Sequence, residues 1–297
     1  MNLNDAIAFL SAAATPSIDT FNRAITVIRE DALDAFIATQ FKGGDVDSIE
    51  VDVSKDVLSR LFERIQQQWM VVGEREPYAS VLANGKYVMA NIAENLAEFR
   101  RSGSMGIQQL QQLALKNGVN LHYGSCLELG CGVGRLTGYL AHHFKTVTGI
   151  DISPGNLRVC AAYLNELGLH NTDLRLMKNL SELETLEGFD AFISFLVIQH
   201  NAPPIQKYML DTVLAKLRPG GVFMFQTIVN APGYAYSVEG NFNYKDVQGY
   251  EMHALPMQHI LKIIQKHGLT LLDVLKDRQG GWSVDSYTFF GVNSRND

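Results

Sequence analysis

The residues best able to do chemistry gather where a short apolar run meets glycines: Glu128-Leu129-Gly130-Cys131-Gly132-Val133-Gly134. Glycines at alternate positions let the chain turn tightly and let a ligand approach the backbone. The stretch closes a strand-like run (125–130) and opens a helical one (133–144), the setting a nucleotide-binding glycine loop requires. Twenty-one residues beyond Gly130 stands Asp151, ending the next strand-like run (146–151). A carboxylate there can accept hydrogen bonds from both hydroxyls of a ribose. A dinucleotide would need GxGxxG, but the sixth position here holds Arg135 and the third glycine is Gly134. Glu128 would also repel a pyrophosphate, whereas it suits a cofactor that carries an ammonium and a sulfonium. A tight turn with no ligand and a dinucleotide oxidoreductase are the rival readings of the loop.

The stretch CLELGCGVGRLT (126–137), backed by Asp151, resembles motif I of the class I S-adenosylmethionine-dependent methyltransferases. The resemblance extends over about residues 125–293. It implies S-adenosylmethionine as cofactor, with Gly130, Gly132 and Gly134 passing beneath its methionine part. Glu128 would hold the amino group through water, Asp151 the ribose, and Ile152 would lie against the adenine. Lys178-Asn179-Leu180 matches the place where the family meets the adenine amino group. Asn179 is therefore the candidate partner, with Leu180 lending its backbone N–H. Many relatives carry Asp there, but Asn can still accept. Phe195 and Leu196 would contact the cofactor by backbone.

Methyl transfer asks the protein for alignment and, for a hydroxyl acceptor, a base. In such sheets the acceptor lies beyond the C-terminal ends of the strands, which points to Leu196-Val197-Ile198-Gln199-His200-Asn201-Ala202-Pro203-Pro204. His200 is the candidate base because imidazole titrates near neutrality; bracing the following helix is its structural alternative. Asn201-Ala-Pro-Pro lacks the aromatic residue and spacing of nucleic-acid amino methyltransferases. No cysteine lies near to serve as a cytosine-C5 nucleophile, and no acid ends the strand as in metal-dependent catechol enzymes. Residues 230–256 form a long connection rich in aromatics: Tyr234, Tyr236, Phe242, Tyr244 and Tyr250, with Glu239, Glu251 and His253. Long loops of this kind are often lids or binding loops, so Tyr234, Tyr236 and His253 are candidate acceptor contacts; a loop using its aromatics only to pack is the alternative. Glu251 and His253 with Asp285 or Glu239 could hold a metal, but scattered acids and histidines are commoner as surface residues and no metal is expected. Trp282 reads as an anchor at a hairpin. In EREPYASVLANGKY (74–87), Tyr78 and Tyr87 are expected to close the cofactor site. That segment and GGWSVDSYTFFG (280–291) are similar to bacterial methyltransferases of cell-surface polysaccharide pathways, which ranks sugar or glycan hydroxyls first among acceptors.

The elements that must position these groups divide the chain near residue 120. Residues 1–120 read as an N-terminal helical cap: apolar spacings of three and four mark helices over 18–41, 51–73, 86–103 and 105–118, with Ser54 as an N-cap and Gly73, Gly103 and Gly118 as stops. Over 121–297 strand-like runs (125–130, 146–151, 172–178, 189–198, 220–229, 269–277, 286–293) alternate with helical ones. That pattern predicts an α/β fold with a parallel sheet covered on both faces. The last two strands lack a helix between them, so the final strand is expected antiparallel, as in the Rossmann-like seven-stranded sheet of the resembled family.

The chain of 297 residues has 46% hydrophobic and 19% charged residues, enough to bury a core without disulfides or metals. Three unpaired-looking cysteines argue against a disulfide framework or zinc site and for a reducing, cytoplasmic setting. AIAFLSAAA near the start lacks a basic flank and is too short to span a bilayer, so it reads as amphipathic helix and no membrane partner is expected. A net charge of −6 without a Lys/Arg block argues against nucleic acid. The reading is therefore an enzyme that O-methylates a small molecule or glycan; a small-amine N-methyltransferase and a non-catalytic cofactor-binding scaffold are its alternatives. Nothing in the sequence sets the oligomeric state.

Overall fold

The computed structural model describes residues 48–243, 251–281 and 284–295. The helix expected at 18–41, the N-terminal apolar stretch, Tyr244, Tyr250 and Trp282 lie outside them. Helices come first: α1 (Lys55–Arg75), α2 (Pro77–Val81), α3 (Ile92–Ser102) and α4 (Ser104–Lys116). Ser54 caps α1, its hydroxyl accepting from the Val57 N–H. The expected stop at Gly73 is overturned: α1 runs through it to Arg75. Gly73 is there for proximity instead, since a Cβ would meet Ser153 Oγ at 2.1 Å. Helix 86–103 is shorter than its apolar spacing suggests, because residues 85–87 form a 3-10 turn and α3 begins only at Ile92.

Strands and helices then alternate: β1 (Ser125–Leu129), α5 (Thr137–His143), β2 (Thr146–Asp151), α6 (Pro154–Glu166), β3 (Thr172–Leu176), β4 (Phe189–Ser194), α7 (Pro203–Leu214) and β5 (Leu217–Asn230). After β5 come a short α8 (Val238–Asn243), α9 (Met257–Lys266), β6 (Thr270–Asp277) and β7 (Asp285–Val292). The seven strands lie in the order β3-β2-β1-β4-β5-β7-β6. β1 to β5 are parallel, and β7 wedges antiparallel between β5 and β6.

Strand periodicity decides which side chains face which helices. Leu127, Phe192, Phe223, Phe225 and Phe289 join one core with α1, α7 and α9. Their neighbours Cys126, Ala191, Ile193, Val222, Met224 and Phe290 join the other, with α4 and α5. Successive residues point to opposite faces of a strand, so both faces of the sheet are covered and the central strands are mainly apolar, with Glu128, Gln226 and Thr227 among their buried polar residues. Of the N-terminal helices, α1 gives Leu58, Leu61, Phe62 and Ile65 to the first core and α4 gives Leu110 and Leu113 to the second, while Tyr87, Ile92 and Phe99 form a third, smaller cluster with Val133. Among the described residues no helix is long and apolar enough to cross a membrane.

Candidate functional site

The C-terminal ends of β1, β2 and β4 surround one pocket. Gly130 and Gly132 line it, both with positive φ (76° and 55°), together with Asp151, Ile152, Phe195, Leu196 and His200. The glycines are close-approach positions: a Cβ on Gly130 would sit 2.1 Å from Val197, and one on Gly132 2.6 Å from Val81. Asp151 is buried, yet its Oδ2 accepts from Gly132 N–H and its Oδ1 from Ser153 N–H, each at 2.8 Å. Burial pushes its carboxyl up to about 6 against the pull of those backbone donors. Each oxygen still has a lone pair for a further donor.

Two expected residues of the loop face elsewhere. Glu128 is buried and accepts from the Thr137 hydroxyl at 2.7 Å, and burial raises its carboxyl to about 8. Gly134 (φ 83°) serves packing, since a Cβ would meet Cys160 Sγ of α6 at 2.8 Å. Asn179 is not among the residues that line this pocket. It is exposed, its amide donating to Glu182 Oε1 at 2.9 Å while its carbonyl accepts from Ser181. A 3-10 turn over Leu180–Thr185 claims that amide, and Leu180 is buried in the core under α1. Met177, two residues earlier, lines the pocket instead, its carbonyl accepting from Gln66 Nε2 at 2.8 Å.

Beyond β4, which ends at Ser194 rather than 198, Leu196 takes a positive φ of 59°. For a residue with a branched side chain that backbone is strained and needs support. Gln226 supplies it: its Oε1 accepts from Leu196 N–H at 3.1 Å, and its Nε2 donates to Gln199 Oε1 and Ser286 Oγ, both at 2.6 Å. The turn so held presents His200 to the pocket. Its Nδ1 lies 2.9 Å from the Glu251 carbonyl oxygen. A carbonyl only accepts, so Nδ1 carries the proton and the lone pair of the neutral ring is on Nε2. Trp69 meets the ring edge-on at 5.2 Å, and burial lowers its pKa.

A second cavity, of about 550 Å³, shares a wall with the first. It is bounded by Ser48, Tyr234, Tyr236, Asn241, Glu251 and His253. The wall is hydrogen-bonded, His200 to the Glu251 carbonyl and His253 N–H to the Gln199 carbonyl at 2.7 Å. His253 Nε2 lies 3.2 Å from Glu251 Oε2, and its Nδ1 2.8 Å from the Tyr234 hydroxyl. Read as a chain, the tyrosine donates to Nδ1 and Nε2–H donates to the carboxylate. Arg64 of α1 grips the Glu251 carboxylate with both terminal nitrogens and also donates to Asn241 Oδ1 at 2.7 Å. Arg64 and His253 hold the Glu251 carboxyl below its usual range against burial, which is the largest single influence on it and acts upward. The Tyr236 hydroxyl is buried and has no hydrogen-bond partner.

Other expectations are not met. Tyr78 and Tyr87 pack edge-on against Phe99 and do not line the cofactor pocket; Trp69, Ser80 and Val81 of α1 and α2 do. Asp285 pairs with Lys276 and Glu239 is exposed on α8, so neither reaches Glu251. Among the described residues no three potential ligands gather to hold a metal. Phe242 packs under Arg60 of α1, 4.5 Å from its ring centroid. Trp69 carried no signal of its own because it lies on the apolar stripe of a helix, and Met177 none because it reads as core.

The residues present fit a nucleoside sulfonium. Ile152, Met177 and Val81 offer an apolar shelf beside the Asp151 carboxylate, and none of the described side chains lining the pocket is a lysine or arginine, as a pyrophosphate would want. A glycine loop, a carboxylate on the neighbouring strand and a seven-stranded sheet with its last strand reversed together define the class I S-adenosylmethionine-dependent methyltransferase. Residues 126–221 match the family described as "Methyltransferase domain", and the chain is a methyltransferase with S-adenosylmethionine as its methyl donor. Among curated relatives, "Ubiquinone biosynthesis O-methyltransferase" of Methylobacterium nodulans is 28% identical over 179 residues, covering 57% of this chain and 70% of that protein. The protein of the same name from Paramagnetospirillum magneticum is 34% identical over 115 residues, covering 38% of this chain and 45% of its own. This chain thus spans less than half the length of the second relative. In fold it is similar to the magnesium protoporphyrin IX methyltransferase of Synechocystis PCC 6803 with bound SAH, at a TM-score of 0.56 and 15% identity over 78% of this chain and 100% of that one.

Proposed function

We propose that this enzyme methylates a hydroxyl of a small molecule, with His200 taking the proton. The supporting observation is the contact of Nδ1 with the Glu251 carbonyl on a ring that lines the pocket: a carbonyl only accepts, so the ring's lone pair would be on Nε2. When bound, S-adenosylmethionine supplies a methyl group on sulfonium, lost to the acceptor oxygen as the S–C electron pair returns to sulfur. Asp151 would accept from the ribose hydroxyls, Ile152 and Met177 would cover the adenine, and Gly130, Gly132 and the Leu196 backbone would border the methionine. Glu128 and Gly134 would act through the loop's shape rather than by contact. The helices before residue 120 would form a cap, since Trp69, Ser80 and Val81 close one side of the pocket.

The acceptor would enter by the second cavity, over Tyr234, Tyr236 and His253. Hydroxyls and amides set around tyrosine rings suit a sugar or glycan hydroxyl. The names of the curated relatives favour a second reading, a phenolic acceptor. Titration calorimetry with S-adenosylmethionine and S-adenosylhomocysteine, with NAD as control, tests the cofactor. Methyl transfer to paired panels of sugars and phenols then tests the acceptor. Turnover of amines alone would sink the O-methyl reading.

A further inference from the structure

The carbonyl that meets the His200 ring belongs to Glu251, at the head of an irregular strap, 251–256, that leads into α9. Two later residues of the strap are fixed by main-chain bonds. His253 N–H donates to the Gln199 carbonyl at 2.7 Å, and Leu255 N–H to the Ile228 carbonyl of β5 at 3.0 Å. Gln206 of α7 adds a third tie, its Nε2 donating to the carbonyls of Asn201 and His253 at 2.8 and 3.1 Å. No backbone–backbone hydrogen bond among the described residues holds Glu251 itself. Its place is set through its side chain.

That side chain is held from the N-terminal helices. Arg64 stands on α1 among Leu61, Phe62 and Ile65, which seat the helix in the first core. Its terminal nitrogens take one carboxylate oxygen each, Nη1 meeting Oε2 at 3.2 Å and Nη2 meeting Oε1. The two side chains are only 19% and 12% exposed, so water screens the pair little. A forked contact fixes direction as well as distance. Five positions further along α1, Trp69 meets the His200 ring edge-on at 5.2 Å. The same helix therefore touches the imidazole and holds the residue that hydrogen-bonds it.

We propose that Arg64 is a positioning residue for His200: by anchoring the Glu251 carboxylate it fixes the peptide whose carbonyl keeps the ring proton on Nδ1 and the lone pair on Nε2. The proposal rests on the reading of His200 as the base. A base needs its lone pair on one particular nitrogen, and an unconstrained imidazole exchanges between two tautomers. Docking of α1 and readiness of the base are then one event.

The test is long-range proton–nitrogen NMR of the full chain, isotopically labelled at the histidine nitrogens, which reports which ring nitrogen carries the proton. It is run at slightly alkaline pH, where burial keeps the His200 ring neutral. His200→Gln assigns the signal by its loss. Wild type should show one form, protonated on Nδ1. Arg64→Gln should lose that single form and show both tautomers, and Arg64→Lys, which keeps the charge without the fork, should restore it in part. Because Arg64→Gln strands a carboxylate at a cost in stability, the double variant, Arg64→Gln with Glu251→Gln, is measured beside it. It leaves neither charge of the pair behind and should show the same mixture. An unchanged Nδ1 form in the double variant would mean that the ties at His253 and Leu255 suffice; that overturns the proposal and leaves the base reading intact. A wild-type ring protonated on Nε2 would overturn the base reading first, and the proposal with it.

Discussion

The two cavities that share the His200–Glu251 wall are built on different principles. The cofactor side is made of backbone: positive-φ glycines, a strained Leu196 and one carboxylate that accepts from main-chain N–H groups. The second cavity, the proposed acceptor side, is made of side chains that hold one another, Arg64 to Glu251, Glu251 to His253 and His253 to Tyr234. The glycines and the carboxylate of the first lie close together in the sequence, within 130–151, and only Leu196 is held from afar, by Gln226. The second is closed by a pair 187 positions apart. A backbone site tolerates change around it but not in it, whereas a side-chain site can be retuned one substitution at a time.

The largest effect expected from breaking this division is at the wall itself. His200→Ala should lower kcat by about 10²- to 10⁴-fold, the usual value of a positioned base, with S-adenosylhomocysteine affinity retained in calorimetry. A near-normal rate would leave His200 a brace of the turn. On the cofactor side, Asp151→Ala should weaken S-adenosylhomocysteine binding by about 100-fold, as two charge-assisted hydrogen bonds are lost, without changing the acceptor KM in those molecules that still turn over. On the acceptor side, Arg64→Gln strands a largely buried carboxylate. It should cost about 3 kcal/mol in denaturant unfolding and raise the acceptor KM while cofactor affinity holds. If cofactor affinity fell instead, the two cavities would not be separable.

A pH experiment sharpens the same contrast. Native Glu128 holds its proton up to about 8, whereas an unfolded glutamate releases it near about 4.3. Between those values the native state binds more protons than the unfolded one, so stability falls as pH rises through that window. Glu128→Gln cannot ionise; its Tm should exceed wild type by several degrees at the alkaline end and match it at the acid end. The smallest effect is expected at Tyr236→Phe. Removing a hydroxyl without a partner should leave stability within about 0.5 kcal/mol of wild type, while the acceptor KM rises. An unchanged KM would take Tyr236 out of the acceptor site.

What could be read from the sequence follows this division. Gly130, Gly132 and Asp151 announced themselves because their roles depend on strand ends and a turn, which local pattern reveals, and the reversed last strand followed from the missing helix. Leu196 could not be read as a positive-φ residue because its conformation is imposed by Gln226, a partner on another strand. Gly73 looked like a stop because a glycine late in an apolar spacing usually is one; only the crossing of α1 over the start of α6 shows that its missing Cβ is what matters. Asn179 was placed by analogy of position, but its amide donates to Glu182, an acid three residues further on. Arg64 and Trp69 had no signal beyond an amphipathic helix, since nothing in 55–75 says that Glu251 and His200, far along the chain, will lie opposite.

The position of β7 has a consequence for how the molecule comes to exist. β6 has β7 as its sheet neighbour, yet β7 follows it in the chain. During synthesis, therefore, β6 must wait unpaired, and the apolar margin of β5 stays open, until the wedge strand leaves the ribosome. Strands in that state are the ones that seek partners in other chains. The Leu196 turn waits on the same event, because Gln226, which holds it, donates to Ser286 of β7.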